Sequence, residues 1–534
     1  MAKLTLGHVV AADMRLLDGE VLLDQSTITG ESLPVEAGPG QETYAGTLVR
    51  RGEAIAEVTA TGVRTRFGRT AELVRLAHVT SSQQKAVLRV VRNLAIFNSL
   101  VVVAQVAYAS SLGMPVIEII PLMLTAILAA IPVGLPATFT LATTLGARAL
   151  ARRGVLPTRL SAVDEAATMD LLCADKTGTL TRNELSVTEV QPMPGFTAAG
   201  VLALAALASS DGGQDPVDAA IRGAAAGQDM SNAPKLVRFI AFDPARKMAE
   251  AEAICADGSR VRIVKGACPV ILALAAPLPE GIVGGDTLAA NGYRVLAVAI
   301  GPDKALRIAG FVALSDPPRP ESKPLIEELQ RLGVRTVMVT GDALTTAAAV
   351  AHAVGLDGAV RSAAAVSEAS PPDGTAVFAG VLPEDKYRIV RAFQAAGHTV
   401  GMCGDGANDA PALRQAQIGV AVSTATDVAK AAAGIVLTEP GLGGIVAAVR
   451  EGRITFQRIL TYCLRSLTQK INQMLFLTVG LIMTGHAILT PLLMVILMTV
   501  GDFLAMSSAT DNVRPSPKPN AWRINKLSVA GIIL

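Results

Sequence analysis

The chain has 534 residues, of which 51% are hydrophobic, 3% aromatic and 17% charged, with a net charge of +2. This length predicts several domains, and a mean hydropathy of +0.45 is high for a soluble protein and predicts membrane spans. The near-zero net charge gives no support for nucleic acid binding. The five cysteines show neither a CxxC pair nor metal-ligand spacing, which predicts free thiols in a reducing cytosol.

Residues 4 to 70 alternate short apolar runs with Gly and Asp turns, which predicts a small β-rich domain. Within this region lies the tetrapeptide Thr29-Gly30-Glu31-Ser32. Taken alone, it is as compatible with an ordinary polar turn as with a functional loop.

Two apolar segments follow, 93–112 and 116–145, and each is long enough to cross a bilayer. The second is interrupted by Pro132, Val133 and Pro136, and prolines inside a span free backbone carbonyls. Either a simple kink or a cavity-lining segment fits this interruption.

The link between these two segments, 110–115, contains no Lys or Arg. Basic residues instead flank the outer ends of the segments: Lys85, Arg89, Arg92, Arg148, Arg152 and Arg153. The positive-inside bias therefore predicts that these ends are cytoplasmic.

A short apolar run at 169–173 predicts a buried strand, and a polar turn follows it. Asp175 would then lie at the carboxyl end of the strand, where open α/β sheets build their sites. An aspartate in that position can attack a phosphoryl group and form an acyl phosphate. A solvated turn carboxylate is the alternative for a bare Asp-Lys-Thr.

Residues 191–310 form an insert before the α/β pattern returns. An aromatic face such as Phe242 can stack on adenine, and Lys247 and Lys265, which precedes Gly266, can approach phosphates as point charges. Taken singly, each is equally an ordinary core phenylalanine or surface lysine.

Two further strands are predicted to end at polar turns beyond the insert. One ends at Thr340-Gly341-Asp342, and the other ends at the run from Asp405 to Asn408-Asp409. Lys386 lies between them in the chain. With the strand that precedes Asp175, the chain thus has three predicted strands that end in polar turns.

Two more apolar segments follow at 460–484 and 488–507, and Asp502 lies within the second. A carboxylate inside a span is costly, so it usually faces a cavity or partner and marks a transport pathway. The short link at 485–487 lacks Lys and Arg, whereas basic residues flank the outer ends, which predicts the same orientation as for the first pair.

The run from Cys173 to Thr181, CADKTGTLT, resembles the phosphorylation signature of P-type ATPases, which are ion pumps that form an aspartyl phosphate. TGES resembles the actuator loop of the same family, and the strand-end set resembles its haloacid-dehalogenase-like fold. The resemblance implies that Asp175 is the phosphate acceptor, that Glu31, with Thr29 and Gly30, positions hydrolytic water, and that Asn408 and Asp409 belong to the hinge.

The same resemblance implies roles for several other residues. Mg²⁺ would be held by Asp175, Asp405 and the Thr177 carbonyl, with Lys386 and Thr340 contacting the phosphoryl oxygens. ATP would be bound by residues of the insert and of one strand end: Phe242, Lys247, Lys265, Gly266, Arg294, Thr340, Gly341 and Asp342. The cation would bind at the unwound segment, which implies an ion pathway through Pro132, Val133, Pro136 and Asp502.

Within the family, the chain looks closest to plasma-membrane proton pumps. Calcium and sodium–potassium pumps carry a liganding Glu where this chain has Val133, and heavy-metal pumps carry a Cys-Pro pair that is absent here. The proton-pump pattern is not complete, because Gly501 precedes Asp502 instead of Asn, and the arginine of the fifth span is replaced near Lys470 and Asn472. Export of Mg²⁺, Na⁺ or K⁺ is the alternative, as is a non-transporting remnant.

The predicted fold is a multidomain α/β protein with an α-helical membrane domain. We expect an actuator domain at 1–75, membrane helices at 76–155 and 446–534, a phosphorylation domain at 156–190 and 311–445, and a nucleotide-binding domain at 191–310. Relative to the family, the first two and most of the last four membrane helices are expected to be missing. The implied location is the plasma membrane, as a multi-pass protein with cytoplasmic catalytic domains, no nucleic acid partner and no obligate protein partner.

Overall fold

A computed structural model describes most of the chain. The described residues are 1–25, 28, 34–76, 82–131, 134–212, 215–228, 233–243, 246–277, 285–290, 292–302, 305–366 and 374–522.

The chain begins with a five-stranded antiparallel sheet, in which the order is β1-β5-β2-β3 and β4 pairs with β2. Leu16 and Leu23 of β2 and Val49 and Ala56 of β5 are fully buried, while alternate residues face solvent, as expected for a sheet with one covered face. The bounds are β1 Ala2–Leu4, β2 Asp13–Asp24, β3 Val35–Ala37, β4 Glu42–Thr43, β5 Leu48–Ala60 and helix α1 Arg66–Leu76.

Three helices follow: α2 Ser82–Ser111, α3 Val116–Ala130 and α4 Gly134–Ala151. The predicted interruption is present, because helix α3 ends at Ala130 and helix α4 begins at Gly134. Pro132 and Val133 lie outside the described residues, and Pro136 is an exposed residue in the first turn of α4.

The next elements are β6 Val155–Pro157, α5 Ser161–Glu165 and β7 Leu171–Asp175. The predicted strand at 169–173 is therefore placed two residues too early. Asp170 lies just before the strand, where its carboxylate accepts hydrogen bonds from the Thr399 N–H and His398.

The insert forms a six-stranded antiparallel sheet with the order β8-β13-β12-β11-β10-β9, covered by short helices. Its strands are β8 Ser186–Pro192, β9 Lys235–Asp243, β10 Met248–Ile254, β11 Arg260–Ala267, β12 Arg294–Gly301 and β13 Arg307–Ser315. Its helices are α6 Ala198–Leu207, α7 Pro216–Ala225, α8 Cys268–Leu274 and α9 Asp286–Ala290.

The chain then completes an eight-stranded sheet with the order β15-β16-β14-β7-β17-β18-β19-β6, parallel except for β6. Its remaining strands are β14 Arg335–Val339, β15 Ala359–Ser362, β16 Thr375–Ala379, β17 Val400–Gly404, β18 Ile418–Ala421 and β19 Ile435–Leu437. Its helices are α10 Ser322–Arg331, α11 Leu344–Ala353, α12 Pro383–Ala395, α13 Ala410–Gln415 and α14 Asp427–Ala432. Strand β7 is central and wholly buried.

Two long helices end the described part, α15 Gly443–Thr484 and α16 Pro491–Met506. The segment predicted at 460–484 is the second half of α15, a helix that begins shortly after β19, the last strand of the eight-stranded sheet. By length and composition, three helical segments of the described chain can cross a membrane: Lys85–Ser111, Val116–Ala151 and Pro491–Thr510. Helix α15 is not among them, since its second half carries Lys470, Asn472 and two glutamines.

Candidate functional site

The ends of three adjacent parallel strands bring the predicted catalytic groups together. Asp175 ends β7 and pairs in register with Val339, so Thr340 follows directly on the neighbouring strand. On the other side, β17 pairs with β7 and Asp405 follows it. Ligand oxygens of Asp175, Asp405 and Asp409 lie within 4.8 Å of one another.

One lysine holds two of these carboxylates. The Lys386 amine, on helix α12, donates to Asp175 Oδ2 at 2.8 Å and to Asp409 Oδ1 at 2.6 Å. The other oxygen of Asp409 accepts the backbone N–H groups of Asp405 and Gly406 at 3.1 and 3.0 Å. Asp409 is therefore fully engaged in orienting its neighbours, a role that no local sequence pattern indicated.

The site carries an excess of negative charge. Burial raises the pKa of Asp175 to about 8, with Lys386 opposing the rise and Asp409 adding to it. Burial also raises the pKa of Asp405 to about 6, and again Asp409 adds to the rise. Burial opposes the charge of the Lys386 amine, but Asp175 and Asp409 together raise its pKa. A cation beside these carboxylates would relieve their repulsion.

Asp405 has the features of a metal ligand. It lies against Gly178, whose φ is +68°, and a Cβ on that glycine would lie 2.4 Å from Asp405 Oδ2. No side chain within the described ranges donates a hydrogen bond to the Asp405 carboxylate. Carboxylate and carbonyl oxygens are the ligands that Mg²⁺ prefers, so the residues present fit a magnesium ion.

The turn after Asp175 is stabilised by contacts that sequence reasoning missed. The Lys176 N–H donates to Asp175 Oδ1 at 2.8 Å, and the Lys176 amine pairs with Asp342 at 2.9 Å. Arg319 donates to the Gly178 carbonyl at 3.4 Å. The sequence could have suggested a role for Lys176 in this turn, because Lys176 directly follows Asp175. Arg319 lies far along the chain, and no local pattern marks it.

Thr340 is buried, and its hydroxyl oxygen accepts the Asp342 N–H at 3.1 Å, while its own proton has no acceptor among the described residues. Gly341, the next residue, is exposed at the same strand end. Asn408 is buried next to Asp409, and its amide oxygen has no hydrogen-bond partner among the described residues.

The predicted nucleotide-binding residues of the insert lie on or beside its six-stranded sheet, whereas Thr340, Gly341 and Asp342 follow β14 of the eight-stranded sheet. The residues of the insert are not equally accessible. Lys247 and Arg294 are exposed, and Phe242 is half-buried on β9. Gly266 pairs in register with Met248, and a Cβ on it would lie 2.4 Å from the Lys247 carbonyl oxygen. The turn that carries Lys247 therefore packs directly on Gly266.

Lys265 points into the domain core. Its side chain is buried, and its amine contacts Asp218 and donates to Ser209 Oγ at 2.5 Å. Burial lowers the pKa of this amine, and Asp218 opposes that shift. The expected approach of Lys265 to a phosphate is therefore not seen in this conformation. Thr29, Gly30 and Glu31 lie outside the described residues.

Asp502 lies at the helix break inside the membrane domain. Its Oδ2 accepts the Gly134 N–H, the first amide of α4, at 3.1 Å. The Lys470 amine, fully buried on α15, lies 3.9 Å from Asp502 Oδ1. Tyr462 is also buried. Its hydroxyl lies directly against Gly134, because a Cβ on that glycine would be 2.4 Å from the hydroxyl oxygen. Gly134 belongs to the interruption that the sequence indicated, whereas no sequence pattern marked Tyr462.

Comparisons with known proteins agree with this architecture. The family model of the P-type ATPase actuator domain matches residues 2–75, and models of haloacid dehalogenase-like hydrolases match residues 169–417 and 387–449. A protein of Methanocaldococcus jannaschii, named as a cation-transporting ATPase, is 36% identical over 552 residues, covering 99% of this chain and 68% of that relative.

Solved structures of zinc-transporting PIB-type ATPases resemble the whole fold. One has a TM-score of 0.76 at 27% identity, and a second, in another state of the transport cycle, has a TM-score of 0.70 at 26% identity. Each alignment covers 95% of this chain and 77% of the other. The actuator match, the strand-end site and the relative aligned along nearly all of this chain point to the same family. The chain therefore belongs to the P-type ATPase family of cation transporters.

Proposed function

We propose that this P-type ATPase transfers the terminal phosphoryl group of ATP to Asp175 and uses the resulting cycle to export protons. The phosphotransfer part is supported by the geometry around Asp175. A buried carboxylate at a strand end is held by Lys386, with Thr340 and Asp405 on the two flanking strands.

In the proposed step, a carboxylate oxygen of Asp175 attacks the terminal phosphorus of ATP. A bond forms between that oxygen and phosphorus, the bond to the bridging oxygen breaks, and ADP leaves with the electron pair. Lys386 and the Thr340 hydroxyl would stabilise the charge on the transferred oxygens. Asp175, Asp405 and the Thr177 carbonyl would hold Mg²⁺, which when bound neutralises phosphoryl charge.

ATP would be held by the nucleotide-binding sheet. Phe242 offers its ring for stacking on the base, and the exposed Lys247 and Arg294 would contact polar groups of the nucleotide. Lys265 would support this surface from inside, through its contact with Asp218, and Gly266 would allow the close packing of the Lys247 turn.

Dephosphorylation would depend on the actuator domain. The residue two positions after Asp175 is Thr177, which is not a base, so the acyl phosphate has no general base at that position. Glu31 in the TGES sequence would supply that function when the actuator reaches the site. This dependence would make hydrolysis wait for domain movement.

The observation that carries the ion assignment is the Asp502 carboxylate at the helix break, bonded to the Gly134 N–H and 3.9 Å from the Lys470 amine. A single titratable carboxyl is sufficient to carry a proton.

A transition metal such as zinc is the second candidate, and the likeness to zinc-transporting structures favours it. Zinc sites use several sulfur, imidazole or carboxylate ligands. Within the described residues, the one group of three or more such side chains is Asp175, Asp405 and Asp409, in the catalytic domain. The chemistry around Asp502 therefore favours the proton.

The test uses the purified chain reconstituted into sealed vesicles, with labelled ATP and Mg²⁺. Wild type should form an acid-stable, hydroxylamine-sensitive phosphoprotein and acidify the lumen of inside-out vesicles. Asp175→Asn should lose both activities, because an amide is a poor nucleophile. Asp502→Asn should keep the phosphoprotein but lose acidification by about tenfold or more, because an amide cannot carry the proton.

Glu118→Gln is the matched control, since Glu118 is also an acidic residue of an apolar segment but lies at the end next to the 110–115 link, opposite the predicted cytoplasmic end, with its carboxylate 3.6 Å from the His486 ring. It should acidify like wild type. Labelling of Asp175→Asn would refute the acceptor assignment. Zinc-dependent ATP hydrolysis without acidification would replace the proton with a metal, and the absence of any ATP-driven flux would favour a non-transporting remnant.

A further inference from the structure

A basic cavity lies at the cytoplasmic ends of the membrane helices, away from both sites described above. Its volume is about 360 Å³, and it lies between α4, α15 and the segment that follows α16. Three arginines line it, Arg148, Arg152 and Arg458, together with Glu451 and Asn512.

Two of these positive charges are uncompensated within the described chain. The Arg458 guanidinium donates to the Asp511 carbonyl at 2.9 Å and lies 4.0 Å from Glu451, so that pair is locally neutral. Arg148 and Arg152 are exposed, and in the part of the chain that the structure describes neither guanidinium forms an ion pair or a hydrogen bond. The cavity therefore offers two guanidinium groups to a ligand, beside the amide of Asn512.

The depth of the cavity follows from the helix geometry. Gly134 lies halfway along the apolar segment Val116–Ala151, which places it near the centre of the bilayer. At 1.5 Å per residue, Arg148 lies about 21 Å beyond Gly134, and Arg458 lies about 18 Å from the level of Lys470. The hydrocarbon layer ends about 15 Å from the centre and the headgroups extend about 20–22 Å from it. Arg148 and Arg458 therefore lie in the headgroup layer, and Arg152, one helical turn further along at about 27 Å, lies just beyond it on the cytoplasmic side.

We propose that this cavity binds the phosphate of an anionic phospholipid from the cytoplasmic leaflet, with Arg148 and Arg152 as its main ligands. Guanidinium groups match the geometry of phosphate oxygens, and basic pockets between helices on this side of a membrane recognise anionic headgroups. The bound headgroup bridges α4, which begins at the Asp502 site, to α15, which enters the catalytic domain. The proposal does not depend on the transported ion.

The chain provides its own reporter, because Trp522 is the only tryptophan in the sequence. Its ring centroid lies 5.0 Å from that of Phe456, two positions before Arg458 on α15. In vesicles of phosphatidylcholine, brominated phosphatidylglycerol should quench Trp522 fluorescence more strongly than brominated phosphatidylcholine. Arg148→Gln combined with Arg152→Gln should weaken this preference about 25-fold, since each basic side chain near an anionic headgroup contributes about fivefold.

Arg89→Gln combined with Arg92→Gln is the matched control. It removes the same charge from α2, at positions predicted to lie at the same membrane face but outside the cavity. If this control lost the preference for the anionic lipid as strongly as the Arg148 and Arg152 variant, the general surface charge would explain the effect. That result would overturn the proposal. Displacement of the lipid by inorganic phosphate, at an ionic strength matched with chloride, would assign the cavity to a free anion. Gel filtration and circular dichroism show whether the Gln variants have folded. If they have not, the milder Arg148→Lys with Arg152→Lys pair replaces them, and it should retain the preference for the anionic lipid.

Discussion

At the scale of single residues, the catalytic centre depends on one buried lysine between two carboxylates. Taking three such charges out of water is costly, and their attraction compensates only when the hydrogen bonds are complete. Lys386, Asp175 and Asp409 meet that condition, with every carboxylate oxygen of the two aspartates accepting a hydrogen bond. Breaking such a set by removing one partner costs about 3–5 kcal/mol.

A second buried carboxyl, Asp164 on α5, lacks such partners. It is 1% exposed, and neither of its oxygens has a hydrogen-bond partner among the described residues. Burial raises its pKa to about 8, and Glu165 adds to the rise. The folded protein therefore holds the Asp164 proton at a pH where the unfolded chain releases it.

This shift predicts the pH dependence of stability. Between about pH 4 and pH 8 the unfolded state binds fewer protons than the folded state, so the free energy of unfolding falls as pH rises, by about 1.4 kcal/mol per unit. The contribution is complete below about pH 4 and lost above about pH 8. Asp164→Asn should remove this slope, measured as the difference in thermal midpoint from wild type. Asp211→Asn is the control, because Asp211 is exposed, and it should keep the slope of the wild type. If the pH profile of Asp164→Asn ran parallel to that of the wild type, the raised pKa of Asp164 would not be the cause of the slope.

At the scale of elements, the turn after β7 determines how close Asp405 comes to Asp175. Gly178 adopts φ +68°, and its hydrogen faces Asp405 Oδ2 where any Cβ would clash. The turn thus combines a backbone conformation that favours glycine with a close approach that requires it.

Gly178→Ala should therefore displace Asp405 and weaken metal binding. We expect the Mg²⁺ concentration for half-maximal phosphorylation to rise about tenfold or more, because one of the carboxylate ligands moves away. Gly195→Ala is the control, because Gly195 has φ +90° but no neighbouring atom within 4 Å of the point where a Cβ would lie. Both variants lose about 1–2 kcal/mol to backbone strain. An unchanged Mg²⁺ dependence in Gly178→Ala would separate Asp405 from the metal site.

At the scale of the whole molecule, the actuator sheet contacts the nucleotide-binding sheet. The Arg51 guanidinium donates to the Phe242 carbonyl at 2.6 Å, and Glu36 is influenced by the charges of Lys247 and Arg294. A cavity of about 470 Å³ between the two domains is lined by Glu36, Arg51 and Lys247. Residues proposed to bind ATP therefore face the actuator in this conformation.

Nucleotide binding should compete with this contact. Arg51→Gln weakens the closed arrangement, so a larger fraction of molecules should be competent to bind, and the apparent Kd for ATP should fall about threefold. Arg50→Gln is the control, because Arg50 pairs with Asp24 inside the actuator domain. Isothermal titration with a non-hydrolysable ATP analogue measures both. An equal Kd for Arg51→Gln and wild type would show that the contact does not oppose ATP.

Local patterns were enough to predict the strand ends, three of the four apolar segments and the break in the second segment. Each of these features depends on neighbouring residues: an apolar strand followed by a polar turn, a run of span length, or a proline inside it. Asp175, Thr340 and Asp405 met as expected because parallel strands share one edge. Local patterns also misplaced one strand: it was predicted at 169–173 but lies at Leu171–Asp175. The side chain of Asp170, just before the strand, bonds Thr399, which is distant in the chain and which no local pattern indicates.

Which side chains share a site depends on the packing of elements that are distant in the chain. Lys386 reaches both Asp175 and Asp409 because the sheet order places α12 beside β7 and β17, and no short-range pattern contains that order. Lys265 points inward because the helices on its sheet present Asp218. Lys470 approaches Asp502 because the rotation of α15 about its axis is set by packing against α4 and α16. Side-chain direction on a long helix follows from what covers each face, and that depends on the whole fold.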